Sequence, residues 1–207
     1  MHSQTSRTLD EQRVEFSRSR FLAMPIAGTI AWTIVGVAGG LVSLGLASWI
    51  LFIATGSIFG LGLIVARFLG EDLIGKTRDH NEFDRLFFAS VQMAWLVFAI
   101  AIPFFMIEPT SLPLSVGILA GLMWLPFSWI IQHWVGMFHA FARTALVTIA
   151  WFLFPEDRFV VIPAVIVVIY LITIYVLATR PLPEGVGRMV APRATPDAAT
   201  EGLSDPI

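Results

Sequence analysis

The sequence predicts an all-α protein, a polytopic bundle of six transmembrane helices with both termini on the cytoplasmic side. Three observations carry that prediction. The 207-residue chain is 57% hydrophobic and only 14% charged, whereas a soluble domain has roughly 45–50% apolar and about 25% charged residues; the mean hydropathy is +0.79. The charges are clustered, which leaves long runs with none. Nearly all of the positive charges then fall on one side of the helices those runs define.

Taken in order, residues 1–19 form a cytoplasmic tail in which Asp10, Glu11, Arg13, Glu15 and Arg18 alternate with Leu9, Val14 and Phe16. That pattern suits a short helix lying on the inner surface. Phe21 to Ala66 is 46 residues without Asp, Glu, Lys or Arg, room for two spans of about 20 residues; these are placed at 20–42 and 45–67, joined by a tight hairpin near Gly39, Gly40 and Ser43. The charged segment Gly70–Arg85 is the one sizeable loop. Leu86 to Ile107 is free of charge for 22 residues, and a third helix is predicted at 86–106. Pro109 to Pro155 holds one charge in 47 residues, Arg143, and accommodates helices at 113–134 and 137–155. The sixth is 159–179, closing a transmembrane domain over 20–180. The remaining 181–207 has five prolines in 27 residues and is predicted to be a disordered cytoplasmic tail. None of the apolar runs alternates with period two, which excludes strands of a membrane barrel. The first is also far longer than a signal-peptide core of about 7–15 residues.

Twelve of the 13 Lys and Arg residues fall on one side of this arrangement, with Arg158 alone opposite. Positive loops remain inside, so an even helix count with both ends in the cytoplasm, in a cell's inner membrane, is the expected topology. There is no cysteine, and the net charge of −2 is too small to suggest a nucleic-acid partner.

Gly36–Gly40, Gly56–Gly60 and Gly117–Gly121 each place small residues one helical turn apart. Such pairs let backbones approach closely, first within the monomer and alternatively across a homo-oligomer interface. Pro25, Pro103, Pro126 and Pro163 each withhold a backbone donor and favour kinks.

Arg143 is the fixed charge inside a predicted span, and an intramembrane charge is a functional candidate. The plainer reading is that its stem snorkels to the inner headgroups. As a site it would face a cavity open to the cytoplasm and hold an anion, with His139 one turn earlier on the same face. Glu71, Asp72 and Asp84 are the carboxylates placed to reach it. Trp32, Trp95 and Trp124 fall near the middle of helices 1, 3 and 4, where an indole N–H needs a partner; Gln92, one turn before Trp95, and Thr33 are candidates. These residues predict either core packing or an aromatic pocket for a small ligand. His133 and His139 lack metal-ligand spacing, the mixed charges of the 70–85 loop read as a solvated surface, and no metal or cofactor is expected. Lys76, the single lysine, lies in that loop, so no retinal Schiff base can form within the bundle. No protease, hydrolase or phosphate-binding motif is present either, and no catalytic residue is assigned.

Glu15-Phe16-Ser17-Arg18 runs into a helix containing Gly28 and Trp32; the second helix carries Thr55-Gly56-Ser57-Ile58-Phe59-Gly60-Leu61-Gly62; the fourth ends in Leu125-Pro126-Phe127-Ser128-Trp129. The last two join through Phe154-Pro155-Glu156-Asp157, followed by Ile162-Pro163 and Tyr170-Leu171-Ile172-Thr173. Together these stretches resemble an uncharacterised family of small bacterial six-helix integral-membrane proteins, a domain of unknown function. The resemblance implies the architecture and, since that family has no assigned activity, no site residue.

Three functional classes follow, in descending order. The first is a non-enzymatic membrane protein that binds or transports a small solute or lipid through Arg143, His139 and the aromatics. The second is a structural or partner-binding bundle acting through its loops and tails. The third is a lipid-modifying enzyme using His139 or a loop carboxylate as base.

Overall fold

The computed structural model describes residues 7–75 and 80–183. The predicted disorder of the C-terminal tail falls almost wholly outside the described residues, as does the centre of the 70–85 loop. Among the described residues the fold is entirely helical. Five helices are long and apolar enough to cross a membrane, and a sixth span is made by a pair of helices bent by 51°. Large apolar side chains such as Ile34, Ile53, Leu96, Phe104, Ile149 and Leu171 project outward. An apolar perimeter of this kind would be a liability in water and is the requirement in lipid.

The N-terminal helix α1 (Leu9–Ser17) opens with a capping box between Thr8 and Glu11, which satisfies two donors that a helix start leaves free. It lies across one end of the bundle against the Glu82–Leu96 helix of the third span and the Trp124–Ile131 helix of the fourth. Asn81 donates to the Gln12 carbonyl at 2.8 Å and to Glu15 at 2.9 Å, and the Arg13 guanidinium sits 5.1 Å and 4.8 Å from the rings of Phe83 and Trp129. A short helix is therefore present in this segment and fastened to the bundle, with its Phe16 buried.

The first span is α2 (Ala23–Leu41). Its N-terminal amides at Leu22 and Ala23 donate to the carboxylate of Glu71, at 2.9 Å and 3.1 Å. An acid at a helix N-terminus is favoured by the free N–H groups and the helix dipole. The second span, predicted as one helix over 45–67, is instead two: α3 (Leu44–Gly56) and α4 (Ile58–Leu69). Gly56 and Ser57 account for the break, since a Gly/Ser pair is a known cause of sharp kinks, and the Ser57 hydroxyl donates back to the Ala54 carbonyl at 3.0 Å. The third span is α5 (Glu82–Leu96) followed, after Val97, by α6 (Phe98–Ile107), which contains Pro103. The fourth is α7 (Leu112–Gly121) and α8 (Trp124–Ile131). Pro126 cannot donate to the Leu122 carbonyl, and that carbonyl accepts from Leu125 N–H at 3.0 Å instead. The last two spans, α9 (Val135–Leu153) and α10 (Arg158–Thr179), are continuous.

The bundle is organised around α2, which packs most extensively against α10 and then α4. The fit to α10 depends on glycine. A Cβ at Gly39 would lie 2.4 Å from the Phe159 carbonyl oxygen, and one at Gly36 would lie 3.1 Å from Pro163. Gly36–Gly40 thus serves packing within the chain, whereas Gly56 and Gly60 have nothing within 4 Å. Both ends of the chain meet at the α1 end of the bundle: Arg180 donates to the carbonyls of Ser17 and Ser19, and Arg20 to that of Ala178. At the opposite end Arg158 stacks 3.4 Å over Trp151 and donates to Thr110 at 2.7 Å.

The glycines of α2 and α4 separate cleanly by consequence. Gly39→Ala is expected to destabilise the folded protein by about 1–3 kcal/mol, because the clash is with backbone that cannot yield. Gly60→Ala meets open space and should be neutral or stabilise by roughly 0.5–1 kcal/mol through helix propensity. Thermal unfolding of the two variants in lipid nanodiscs measures both; equal behaviour would contradict the α2–α10 packing described.

Candidate functional site

Arg143 lies eight residues into α9, about 12 Å along the helix axis at 1.5 Å per residue. Its side chain does not snorkel. It is 1% exposed and points across the bundle at α7, where the Gly117–Gly121 pair leaves a groove for it. A Cβ at Gly121 would lie 2.8 Å from Arg143 Cδ, and Arg143 Nε donates to the Gly117 carbonyl. The small-residue pair on α7 therefore receives a side chain, not another helix backbone.

The rest of the guanidinium is held by α9 and α10. Nη1 donates to the Tyr170 hydroxyl at 3.1 Å and reaches His139 Nε2 at 3.4 Å. The tautomer of His139 follows from its other nitrogen. The Thr173 hydroxyl gives its single proton to the Ile169 carbonyl at 2.8 Å, so its oxygen must accept from His139 Nδ1–H at 2.9 Å. Nε2 is then bare and turned toward Arg143. The imidazole stacks on Trp124 with centroids 4.3 Å apart and meets Tyr170 at 4.8 Å. Trp32 and Tyr170 present their rings 5.3 Å and 5.4 Å from the guanidinium carbon, a favourable placement for a cation out of water. Tyr170 itself fits because residue 28 is glycine: a Cβ there would lie 2.4 Å from the ring's Cζ.

Every partner in this cradle is neutral. Among the described residues no carboxylate forms an ion pair with Arg143. Glu71, one of the acids the sequence offered, caps α2 instead, and Asp84 is buried beside Gly75. Arginine stays protonated in proteins, so the cradle holds a positive charge with no carboxylate paired to it among the described residues. Moreover, Arg143 Nη2 is buried and has no hydrogen-bond partner. An orphaned buried donor of this kind demands an explanation.

Arg143 lines a cavity of about 60 Å³, large enough for a few waters or one small polar group by the usual requirement of roughly 10–15 Å³ per water. Arg143, Trp32, Trp124 and Tyr170 form its buried wall; Phe59, Ala94, Trp95 and Phe98 form the other. Three interrupted spans meet around it, with Thr55 and Ile58 flanking the α3–α4 bend, Trp95 and Phe98 flanking Val97, and Met123 at the α7–α8 break. Irregular backbone at membrane depth is tolerated where it lines a cavity.

The structure brings together Arg143, His139, Trp32 and Trp124. Trp95, 54% exposed, stands at the rim of the same cavity and meets Phe59 edge-on at 6.5 Å. Gln92 is exposed on the outer face of α5 and takes no part in the cavity lining. Tyr170, Thr173, Gly28, Gly117 and Gly121 are the members that sequence reasoning did not assign. The α7 glycines were visible only as a helix-packing pattern, and nothing local in α10 singles out Tyr170. Both His139 ring nitrogens are engaged, which leaves no lone pair for a substrate proton. No three His, Asp or Glu side chains converge as metal ligands among the described residues.

A protein family described as a family of unknown function (DUF7010) matches residues 9–180. The chain belongs to this family. The match contains every residue of the Arg143 cradle and agrees with the resemblance read from the sequence. No curated protein matches the chain, and no solved structure does.

The Gly28–Tyr170 contact gives a direct check on the cradle. Gly28→Ala should destabilise by about 1–3 kcal/mol, and most of that loss should vanish in a Tyr170→Ala background, since neighbours that share a contact are non-additive. A double-mutant cycle by thermal unfolding in nanodiscs reads the coupling; additive effects would separate Gly28 from the site.

Proposed function

We propose that this protein is a non-enzymatic multi-pass membrane protein that binds an anionic ligand at Arg143, and that binding or transport of that ligand is its function. One observation carries the reading: a charged guanidinium is buried in a neutral cradle with Nη2 unpaired, and Arg143 lines a cavity. A buried charge without a counter-charge costs several kcal/mol. Hydrogen bonds and ring faces offset part of that cost, and an anion would offset the rest. Catalysis is disfavoured by the engagement of both His139 nitrogens. The inner membrane with cytoplasmic termini is the proposed setting, supported by the gathering of Arg7, Arg13, Arg20 and Arg180 at the α1 end against Arg158 at the other.

A second reading, assembly with another membrane helix, is favoured by Gly56 and Gly60. They present a small-residue face at the α3–α4 bend with nothing within 4 Å.

The deciding measurement is native mass spectrometry of the protein carried from its own membrane into lipid nanodiscs. The expected result is a discrete adduct other than bulk lipid, lost in Arg143→Gln while helicity by circular dichroism is retained. An adduct pattern identical in the two proteins would overturn the assignment of Arg143. A defined dimer with bulk lipid alone would favour the second reading.

A further inference from the structure

The walls of the cavity differ in how closely they are packed. At the α1 end, the rings of Phe16, Phe21, Phe87 and Phe127 close on one another with centroids between 4.7 Å and 6.4 Å apart. All four are at most 4% exposed. Phe21 reaches this cluster from a left-handed backbone conformation, φ 59°, which a bulky residue adopts only when its surroundings over-determine it. The cavity is therefore not open at the end that the sequence reading assigned to the cytoplasm. Toward the opposite end, Val35, Leu51, Ala101 and Leu112 are 0% exposed. Sideways the situation differs. Phe59, Ala94 and Phe98 are half-buried, and Trp95 is more than half exposed.

That side wall is the seam between the α3–α4 and α5–α6 spans. They meet through rings: Phe59 with Phe88 at 6.0 Å, Phe59 with Trp95 at 6.5 Å, and Phe52 with Phe98 at 5.8 Å. Of the five unbent spans, α5–α6 is the least buried. Both spans are interrupted at the depth of the seam, at Ser57 and Val97. What lies outside the seam is lipid, not water.

We infer that the ligand is a single-chain carboxylate amphiphile, an anion of the fatty-acid type, which enters from the bilayer between α4 and α5 past Trp95 and delivers its carboxylate to Arg143. This rests on the reading that Arg143 binds an anion, and it names which anion and by what route. One guanidinium nitrogen is unpaired, and no second cation lines the cavity; that matches one negative charge. A phosphate headgroup would bring more charge and more acceptor oxygens than one free nitrogen can satisfy. Apart from Arg143, Tyr170 and Thr55 the lining is Met, Ile, Phe, Val, Ala and Trp, and the Thr55 hydroxyl is spent on the Leu51 carbonyl at 2.7 Å. An apolar surface around one charge suits an alkyl chain carrying one carboxylate. The small cavity takes the headgroup, and the chain leaves through the seam into the acyl region of the membrane.

The test is photolabelling of the full chain in nanodiscs with a diazirine-bearing palmitic acid, its alcohol analogue as control, and peptide mapping of the labelled positions. Labelling is expected at Phe59, Trp95, Phe98 or Met123 with the acid. It should fall roughly 10-fold or more with the alcohol or in Arg143→Gln, as expected for a lost charge-assisted pair. Ala94→Phe, which fills the seam without touching Arg143, should reduce labelling in the same way. It keeps the question open to an answer if Arg143→Gln does not fold. Direct binding of butyrate, a water-soluble carboxylate, that is lost in Arg143→Gln, with no site-specific labelling by the long-chain acid, would overturn the amphiphile and its lateral route while preserving anion binding at Arg143. Equal labelling by acid and alcohol, indifferent to Arg143→Gln, would overturn both.

Discussion

A guanidinium with no counter-charge, held inside an apolar bundle, is the constraint to which the rest of this structure answers. In hydrocarbon a charge has no water to fall back on, so each N–H of Arg143 must be met by the protein or by something the protein binds. Three elements meet Nε and Nη1: a carbonyl from α7, a hydroxyl from α10 and an imidazole nitrogen from α9 itself. Each supplier is fixed by a further residue. Thr173 sets the tautomer of His139, Gly28 makes room for Tyr170, and Gly121 admits the arginine stem. Loss of any of these would move the charge without removing it.

The breaks in the spans belong to the same design. A straight helix in each position would close-pack the centre of the bundle, as α2 and α10 do along their glycine seam. The α3–α4 bend and the interruptions at Val97 and Leu122–Met123 instead open space at one depth, next to the cation. Ser57 and Leu125 recover some of the backbone hydrogen bonding that each break forfeits. Rigid packing on the α2–α10 side and ring-on-ring contacts on the α4–α5 side give the bundle one firm wall and one yielding one.

The spans were legible in the sequence because charge-free runs of 21 to 46 residues have few soluble explanations. The prolines and the Gly56-Ser57 pair announced kinks, although not which helices would separate into two. The partners of Arg143 were not legible. Snorkelling is judged from a residue's distance to the end of its own helix, and by that measure Arg143 is close enough. What draws it inward is a groove on α7 and a tyrosine on α10, at positions 117 to 121 and 170, and only the pairing of helices reveals them. Gln92, one turn from Trp95 along α5, is exposed and does not line the cavity, a distinction that sequence spacing does not show.

The α2–α10 seam joins the first and the last of the spans among the described residues. Until α10 has been inserted, α2 lacks the surface that its glycines fit, and Arg143, already in the bilayer on α9, lacks Tyr170 and Thr173. A lone arginine at helix centre opposes insertion by roughly 2.5–3.5 kcal/mol. Helix α9 must therefore cross the membrane before the protein can reward it for doing so. The very hydrophobic α10 that follows, with Arg180 reaching back to Ser17 and Ser19, acts as the clasp that closes the chain. The cradle of Arg143 is thus complete only once α10, a helix of 22 residues, has packed against α2 and α9.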